Sequence, residues 1–144
     1  MKRKKARSAT GLTLLGRSVG EWPAAPEQAI LECFPNPARR RYKIVFETGE
    51  FTSLCPVTGQ PDFARIQIEY IPARLCVETK SLKLYLASFR GVRAFNEAVI
   101  NRILDDFVAA CGPVFAEVTG EFAARGGVAI KVVAEHRAKG FKDD

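Results

Sequence analysis

The spacing of apolar residues changes period twice along this chain, and that change limits the folds open to it. Tyr42, Ile44 and Phe46 alternate with Lys43 and Glu47, the period-2 pattern of a half-buried strand. Ala64, Ile66, Ile68 and Tyr70 repeat the pattern against Arg65, Gln67 and Glu69, and Pro72 ends this second strand. The period then becomes helical. Leu82, Tyr85, Leu86 and Phe89 stand at i, i+3, i+4 and i+7, one stripe of a short helix that Gly91 interrupts. Phe95, Val99, Ile103 and Phe107, with Ile100, Leu104 and Val108 beside them, mark a longer helix with Phe95 buried, stopped by Gly112-Pro113. Alternation returns in Val114, Ala116, Val118 and Phe122, and again in Val128, Ile130, Val132 and Ala134, across the turn Arg125-Gly126-Gly127.

The order is β-β-α-α-β-β, and a short polar turn inside each strand pair predicts antiparallel pairing. An α+β layer follows: a four-stranded antiparallel sheet with two helices on one face. Its outer strands have unpaired edges, which predicts a homo-oligomer joined through them. The chain has 144 residues, 47% of them hydrophobic, enough for one domain with its own core. The expected boundaries are a disordered basic tail at 1–10, a single domain at 11–135 and a polar C-terminal tail at 136–144. Prolines 23, 26, 35 and 37 mark the stretch from Gly11 to Pro37 as irregular.

The net charge of +6 comes mostly from one end. Lys2, Arg3, Lys4, Lys5 and Arg7 carry no acid among them; set aside those five and the 22 basic residues become 17, against 16 acidic. The charge therefore describes a tail rather than the domain: a solvated, disordered end, with a nucleic-acid arm as the minority reading, and direct tRNA binding is not expected. No apolar run approaches the roughly 20 residues that span a bilayer. The basic start runs into polar residues instead of an apolar signal core. A cytoplasmic location is expected. Cysteines stand at 33, 55, 76 and 111 without a C-x-x-C pair, and His136 is the only histidine. A cytosolic chain is not expected to carry a disulfide scaffold, a zinc site lacks a local Cys/His cluster, and a Cys-His dyad would depend on His136 alone, so no metal is expected.

Cys55 lies in a loop bounded by proline and glycine, where functional side chains gather; by position alone it is either a small buried side chain or a nucleophile. Asp62 closes the same loop. The Gly59-Gln60-Pro61 turn can fold it toward Cys55 as a proton partner, or Asp62 can simply cap the turn. Cys76 and Cys111 read as core residues. Thr79 is placed to cap the short helix. Lys80 and Lys83 share one face near its N-terminus, either an anion site or a solvated lysine face. Glu97 reads as a surface charge.

The strings Glu50-Phe-Thr-Ser-Leu-Cys-Pro-Val-Thr-Gly-Gln-Pro-Asp-Phe63 and Val77-Glu-Thr-Lys-Ser-Leu-Lys-Leu-Tyr85 closely resemble the nitrile reductases of queuosine biosynthesis, the QueF family. Leu12-Thr-Leu-Leu-Gly16, Phe34-Pro-Asn36 and Arg125-Gly-Gly127 extend the resemblance over roughly residues 11–135, in the short single-module form. The resemblance implies the tunnelling fold, with subunits joined edge to edge and active sites at their interfaces. It implies NADPH-dependent reduction of 7-cyano-7-deazaguanine to 7-aminomethyl-7-deazaguanine. Cys55 would add to the nitrile carbon as a thioimide, and Asp62 would be the general acid. Val77, Glu78 and Thr79 would hold the deazaguanine together with Asn96 and Glu97. Lys80, Ser81 and Lys83 would bind NADPH.

The chain departs from the family pattern in three places. Asn96 stands where the family usually has histidine, and it cannot shuttle a proton near neutral pH. Gly91-Val92-Arg93-Ala94 replaces a stretch that commonly reads Asn-His-Gly-Asp. Thr79 stands where serine is common. Two rival readings share the loop: a QueF-like amidinotransferase, which adds ammonia to the same thioimide without NADPH, and a non-catalytic nucleotide- or tRNA-binding paralogue.

Overall fold

Four strands of ten or eleven residues could pair in several registers, yet their buried faces permit one. The computed structural model describes residues 11–16 and 20–143; the basic tail expected at 1–10 lies outside them. In chain order the elements are β1 (Cys33–Pro35), β2 (Ile44–Leu54), β3 (Pro61–Ile71), β4 (Leu75–Val77), α1 (Thr79–Ala87), α2 (Asn96–Cys111), β5 (Phe115–Arg125) and β6 (Val128–Arg137). Short 3-10 turns lie at Pro26–Gln28 and Ser88–Gly91.

β2, β3, β5 and β6 form an antiparallel sheet in that order. β3 sets Ile66, Ile68 and Tyr70 toward the helices, all buried, while Arg65 stays exposed on the other face. Ile68 pairs with Phe46 on one side and Val118 on the other. α2 buries Val99, Ile100, Ile103, Leu104, Phe107 and Cys111, a stripe at helical spacing, against that face. The Phe107 ring meets Tyr70 edge-on at 4.8 Å. Burial leaves the Tyr70 hydroxyl in need of a partner, and it accepts the Val77 N–H at 3.0 Å. α2 ends at Gly112, whose φ of 55° is left-handed and whose N–H reaches Val108 O at 2.9 Å.

The structure corrects the sequence reading at its boundaries. β2 and β3 run to Leu54 and from Pro61, so the long loop expected at 51–62 shrinks to 55–60, and Asp62 lies on a strand. The irregular N-terminal stretch contains β1, which pairs with β4 in a small second sheet. β6 continues through His136 and Arg137, which pair with Ala116 and Phe115, so the polar tail begins later than 136. Phe95 is not in the core: it precedes the first turn of α2 and is 63% exposed. Glu78, not Thr79, caps α1, because its buried carboxylate accepts the N–H groups of Lys80 at 2.7 Å and Ser81 at 2.8 Å.

Gly120 is the point where α2 comes closest to the sheet. A Cβ there would lie 2.4 Å from Ile100 Cδ1 and 2.9 Å from Ile100 Cγ1, and Ile100 is fully buried with no space to retreat. Gly120→Ala is expected to destabilise the fold by about 1–3 kcal/mol through overpacking. Adding Ile100→Val should recover part of that loss. Urea unfolding of the two single variants and the double variant tests both statements.

Candidate active site

Cys55 is the first residue beyond β2, and hydrogen bonds fix both ends of its loop. Its N–H donates to Gln60 O at 2.8 Å, and the Gly59 N–H donates back to Cys55 O at 2.9 Å. Gly59 is required by its backbone conformation, and the Arg93 guanidinium lies over it. Its φ of +72° is left-handed, and a Cβ there would sit 2.8 Å from the Arg93 guanidinium. The folded loop turns donors toward the sulfur. A hydrogen bond from the Thr58 hydroxyl is the largest influence pushing the Cys55 thiol below its ordinary value. The backbone N–H groups of Thr58 and Val57 and the charge of Arg125 act in the same direction. Cys33 and Cys111 move the opposite way because they are buried, Cys111 to about 12.

Asp62, second residue of β3, pairs across the ladder with Ser53. Its carboxylate meets Arg125 of β5 at 3.0 Å. The same guanidinium donates to Gln60 Oε1 at 3.1 Å and to Pro61 O at 2.7 Å. One arginine from the β5–β6 hairpin therefore clamps the end of the Cys55 loop and its carboxylate together.

A second segment is tied to the same end of the sheet. The Leu54 N–H donates to Val92 O at 2.8 Å, and the Ala94 N–H donates to Leu54 O at 3.1 Å. This parallel contact brings Phe95, Asn96 and Glu97 toward Cys55. Glu97 is exposed, and the half-buried Asn96 keeps its side-chain oxygen without a partner.

The other expected site residues form a separate group. Val77 and Glu78 are buried, and the Glu78 N–H donates to Glu32 O at 2.8 Å. The Ser81 hydroxyl is fully buried; it accepts the Glu32 N–H at 2.9 Å and donates to Glu78 O at 2.8 Å, so it serves the subunit's own structure. Thr79 and Lys83 face a cavity of about 320 Å³ whose walls include Trp22, Phe46, Phe51 and Leu82. Lys83 Nζ lies 5.5 Å from the centre of the Trp22 ring. An aromatic wall with cationic side chains at the start of a helix fits a ligand that carries a flat ring and phosphates. Phe51 is four residues from Cys55, about 13 Å of extended chain. One subunit thus brings Cys55, Asp62, Asn96 and Glu97 to one end of the sheet and sets Val77–Lys83 beside the middle of β2.

Arg125 and Ser53 are members of the site that the sequence reading missed. Arg125 entered the sequence reading only through a turn and a string shared with the family, with no role of its own, and nothing local links it to Asp62. Among the described residues no group of three or more His, Cys, Asp and Glu is placed to hold a metal. No helix among them is long and apolar enough to cross a membrane.

Fold and site define an α+β protein with an acidified thiol beside a carboxylate–guanidinium pair at one end of an antiparallel sheet. Residues 61–140 match the family described as QueF-like protein, and the chain belongs to that family. It is 58% identical over 113 residues to the NADPH-dependent 7-cyano-7-deazaguanine reductase of Nitrosomonas europaea, covering 78% of this chain and 81% of that one. The reductase of the same name from Nitrosococcus oceani is 52% identical over 120 residues, covering 83% and 92%. Among solved structures, the apo form of the archaeosine synthase QueF-Like superposes with a TM-score of 0.59 at 26% identity, over 68% of this chain and 94% of that one.

The lowered thiol can be measured directly. Iodoacetamide should alkylate Cys55 with a pH midpoint below that of an ordinary thiol. Thr58→Val should move the midpoint up, because it removes the largest cause of the shift. An unchanged midpoint in Thr58→Val would refute the assigned cause.

Proposed function

We propose that this chain reduces the nitrile of 7-cyano-7-deazaguanine to the aminomethyl group with NADPH, a step in queuosine biosynthesis. Relatives at 52–58% identity carry that activity in their names. The observation that carries the reading to particular atoms is Cys55. Its loop lowers the thiol, and Asp62 stands at the same end of the β2–β3 ladder.

The chemistry follows from those groups. Cys55 loses its proton and its sulfur attacks the nitrile carbon, turning C≡N into C=N. Asp62 passes a proton to the nitrogen, so the elements of S–H add across the triple bond and the charge balances. The Thr58 hydroxyl and the loop N–H groups favour the thiolate that begins this step. Going from nitrile to amine takes four electrons, which NADPH supplies as hydride when bound. Lys83, beside the Trp22 cavity, and Lys80, in the first turn of α1, are suited to its phosphates. Ser81 contributes by anchoring that helix. Glu78 and Thr79 supply polar contacts for the deazaguanine and Val77 an apolar one, with Asn96 and Glu97 as further polar contacts.

The working form is a homo-oligomer. β2 and β6 are the edges of the sheet, and each is ten or more residues long. The separation between Cys55 and the Val77–Lys83 stretch is closed by a site built between two subunits. The reaction belongs in the cytoplasm, and the small substrate needs no tRNA contact. The structural neighbour named as an archaeosine synthase supports a second reading, amidinotransfer on the same thioimide, but at 26% identity it stands well behind the reductases.

Purified protein given 7-cyano-7-deazaguanine should oxidise about two NADPH for each amine formed. Cys55→Ala should abolish both turnover and the covalent adduct seen by intact mass. Asp62→Ala should lower turnover by at least ~10²-fold. Adduct without NADPH oxidation would shift the assignment to amidinotransfer, and absence of both would sink the reductase. Light scattering should give a particle mass that is a multiple of 15.9 kDa; a monomer would overturn the interface site.

A further inference from the structure

Two buried side-chain oxygens among the described residues have no hydrogen-bond partner, Ser53 Oγ and Asn96 Oδ1. Both lie beside the backbone contact between Leu54 and residues 92–94 that ends β2 at Cys55. Buried polar groups are nearly always bonded, so two orphans at one spot call for a physical account. Asn96 is half-buried and within the proposed substrate wall. Ser53 is different: it is fully buried, so no ligand can touch it without moving protein. Its cross-strand partner is Asp62, whose side chain is 12% exposed and is engaged on its other side by Arg125 at 3.0 Å. Paired residues share one face of a sheet, with Cβ atoms about 4.5–5.5 Å apart. The register therefore sets the Asp62 side chain beside Ser53 on one face of the sheet.

We propose that Ser53 is a positioning residue that takes over Asp62 from Arg125 during thioimide formation. The proposal rests on the assignment of Asp62 as the proton carrier. Before the reaction Asp62 is an anion, and a guanidinium is its natural partner. Once it holds the proton from Cys55 it is neutral, and the ion pair with Arg125 loses its basis. The neutral carboxyl then needs a neutral partner that fixes which oxygen bears the proton. The Ser53 hydroxyl donates to one carboxyl oxygen and leaves the O–H of the other aimed at the nitrile nitrogen. The unpartnered state of Ser53 in the resting structure is the waiting half of this exchange.

Ser53→Ala removes a hydroxyl that bonds to nothing in the resting fold, so its urea midpoint should equal or exceed that of the wild type. Its rate of adduct formation under single turnover should fall about tenfold, the worth of one hydrogen bond, with the substrate KM unchanged. A double-mutant cycle separates positioning from structure: in Asp62→Ala, the further change Ser53→Ala should cost nothing. A wild-type rate in Ser53→Ala overturns the proposal. So does an equal additional loss in the Asp62→Ala background, or a rise in KM that accounts for the loss. If the wild type itself forms no adduct, the reading of Cys55 and Asp62 fails, and this proposal with it. A wild type that forms adduct with Ser53 silent fails this proposal alone.

Discussion

A slip of one residue between β2 and β3 would carry Asp62 to the far face of the sheet and expose the core at the same time. Phe51 pairs with Ala64, Ser53 with Asp62 and Leu54 with Pro61. Phe51 and Ala64 are buried under the helices, so the hydrophobic effect that buries them also holds Asp62 and Ser53 on the same side. The Cys55 loop then begins from a fixed strand end. Its two closing hydrogen bonds and the left-handed Gly59 leave the thiol among donors, and no separate device is needed to orient it. The chemistry of the site is thus secured by a packing constraint several residues away.

The electrostatics of the site come from a part of the chain that packing must deliver. Arg125 sits at the β5–β6 hairpin, and the antiparallel pairing of β3 with β5 brings that hairpin to the Cys55 end of the sheet. From there it bonds Asp62, Gln60 and Pro61 and adds to the field that lowers the thiol. The segment 91–96, where the side chains depart from the family pattern, joins Cys55's strand through backbone groups of Val92 and Ala94. Backbone contacts survive side-chain change, which explains how Val92 and Ala94 can differ without moving Cys55. Arg93 makes a different kind of contact: its guanidinium fills the space above Gly59 that any side chain there would need.

The periodic elements were legible because their signal is local. The strands at 44–46 and 64–70, the long helix and its Gly112 stop all follow from patterns within a few residues. β1 and β4 were missed because three residues are too few to display a period, and their pairing joins segments forty residues apart in the chain. Phe95 was misplaced since its spacing fits the α2 stripe, yet the helix starts one residue later and leaves it in solvent. Glu78 and Thr79 are both able to cap a helix, and only the backbone shows which one reaches the free N–H groups. Cys55 and Asp62 stood out through their loop and the family strings; Arg125 and Ser53 become visible only when the ladder is in register.

The sheet edges press the argument beyond one subunit. β2 has β3 on one side, and on its other side, among the described residues, only Leu54 is bridged, to Arg93. β6 has β5 on one side and no strand on the other among the described residues. Long free edges invite uncontrolled pairing unless charge, bulges or a proper partner intervene. Here the register shifts near Thr48 and Phe122 kink the two outer hairpins, and Lys43, Glu47, Lys131 and Glu135 place charge along the outer strands. Such features limit pairing to a partner that matches in twist and sign; in the proposed homo-oligomer a second copy of this chain would supply β6 to β2. The same union that satisfies the edges would set the Cys55 end of one sheet against another subunit, so that assembly and completion of the site become one event.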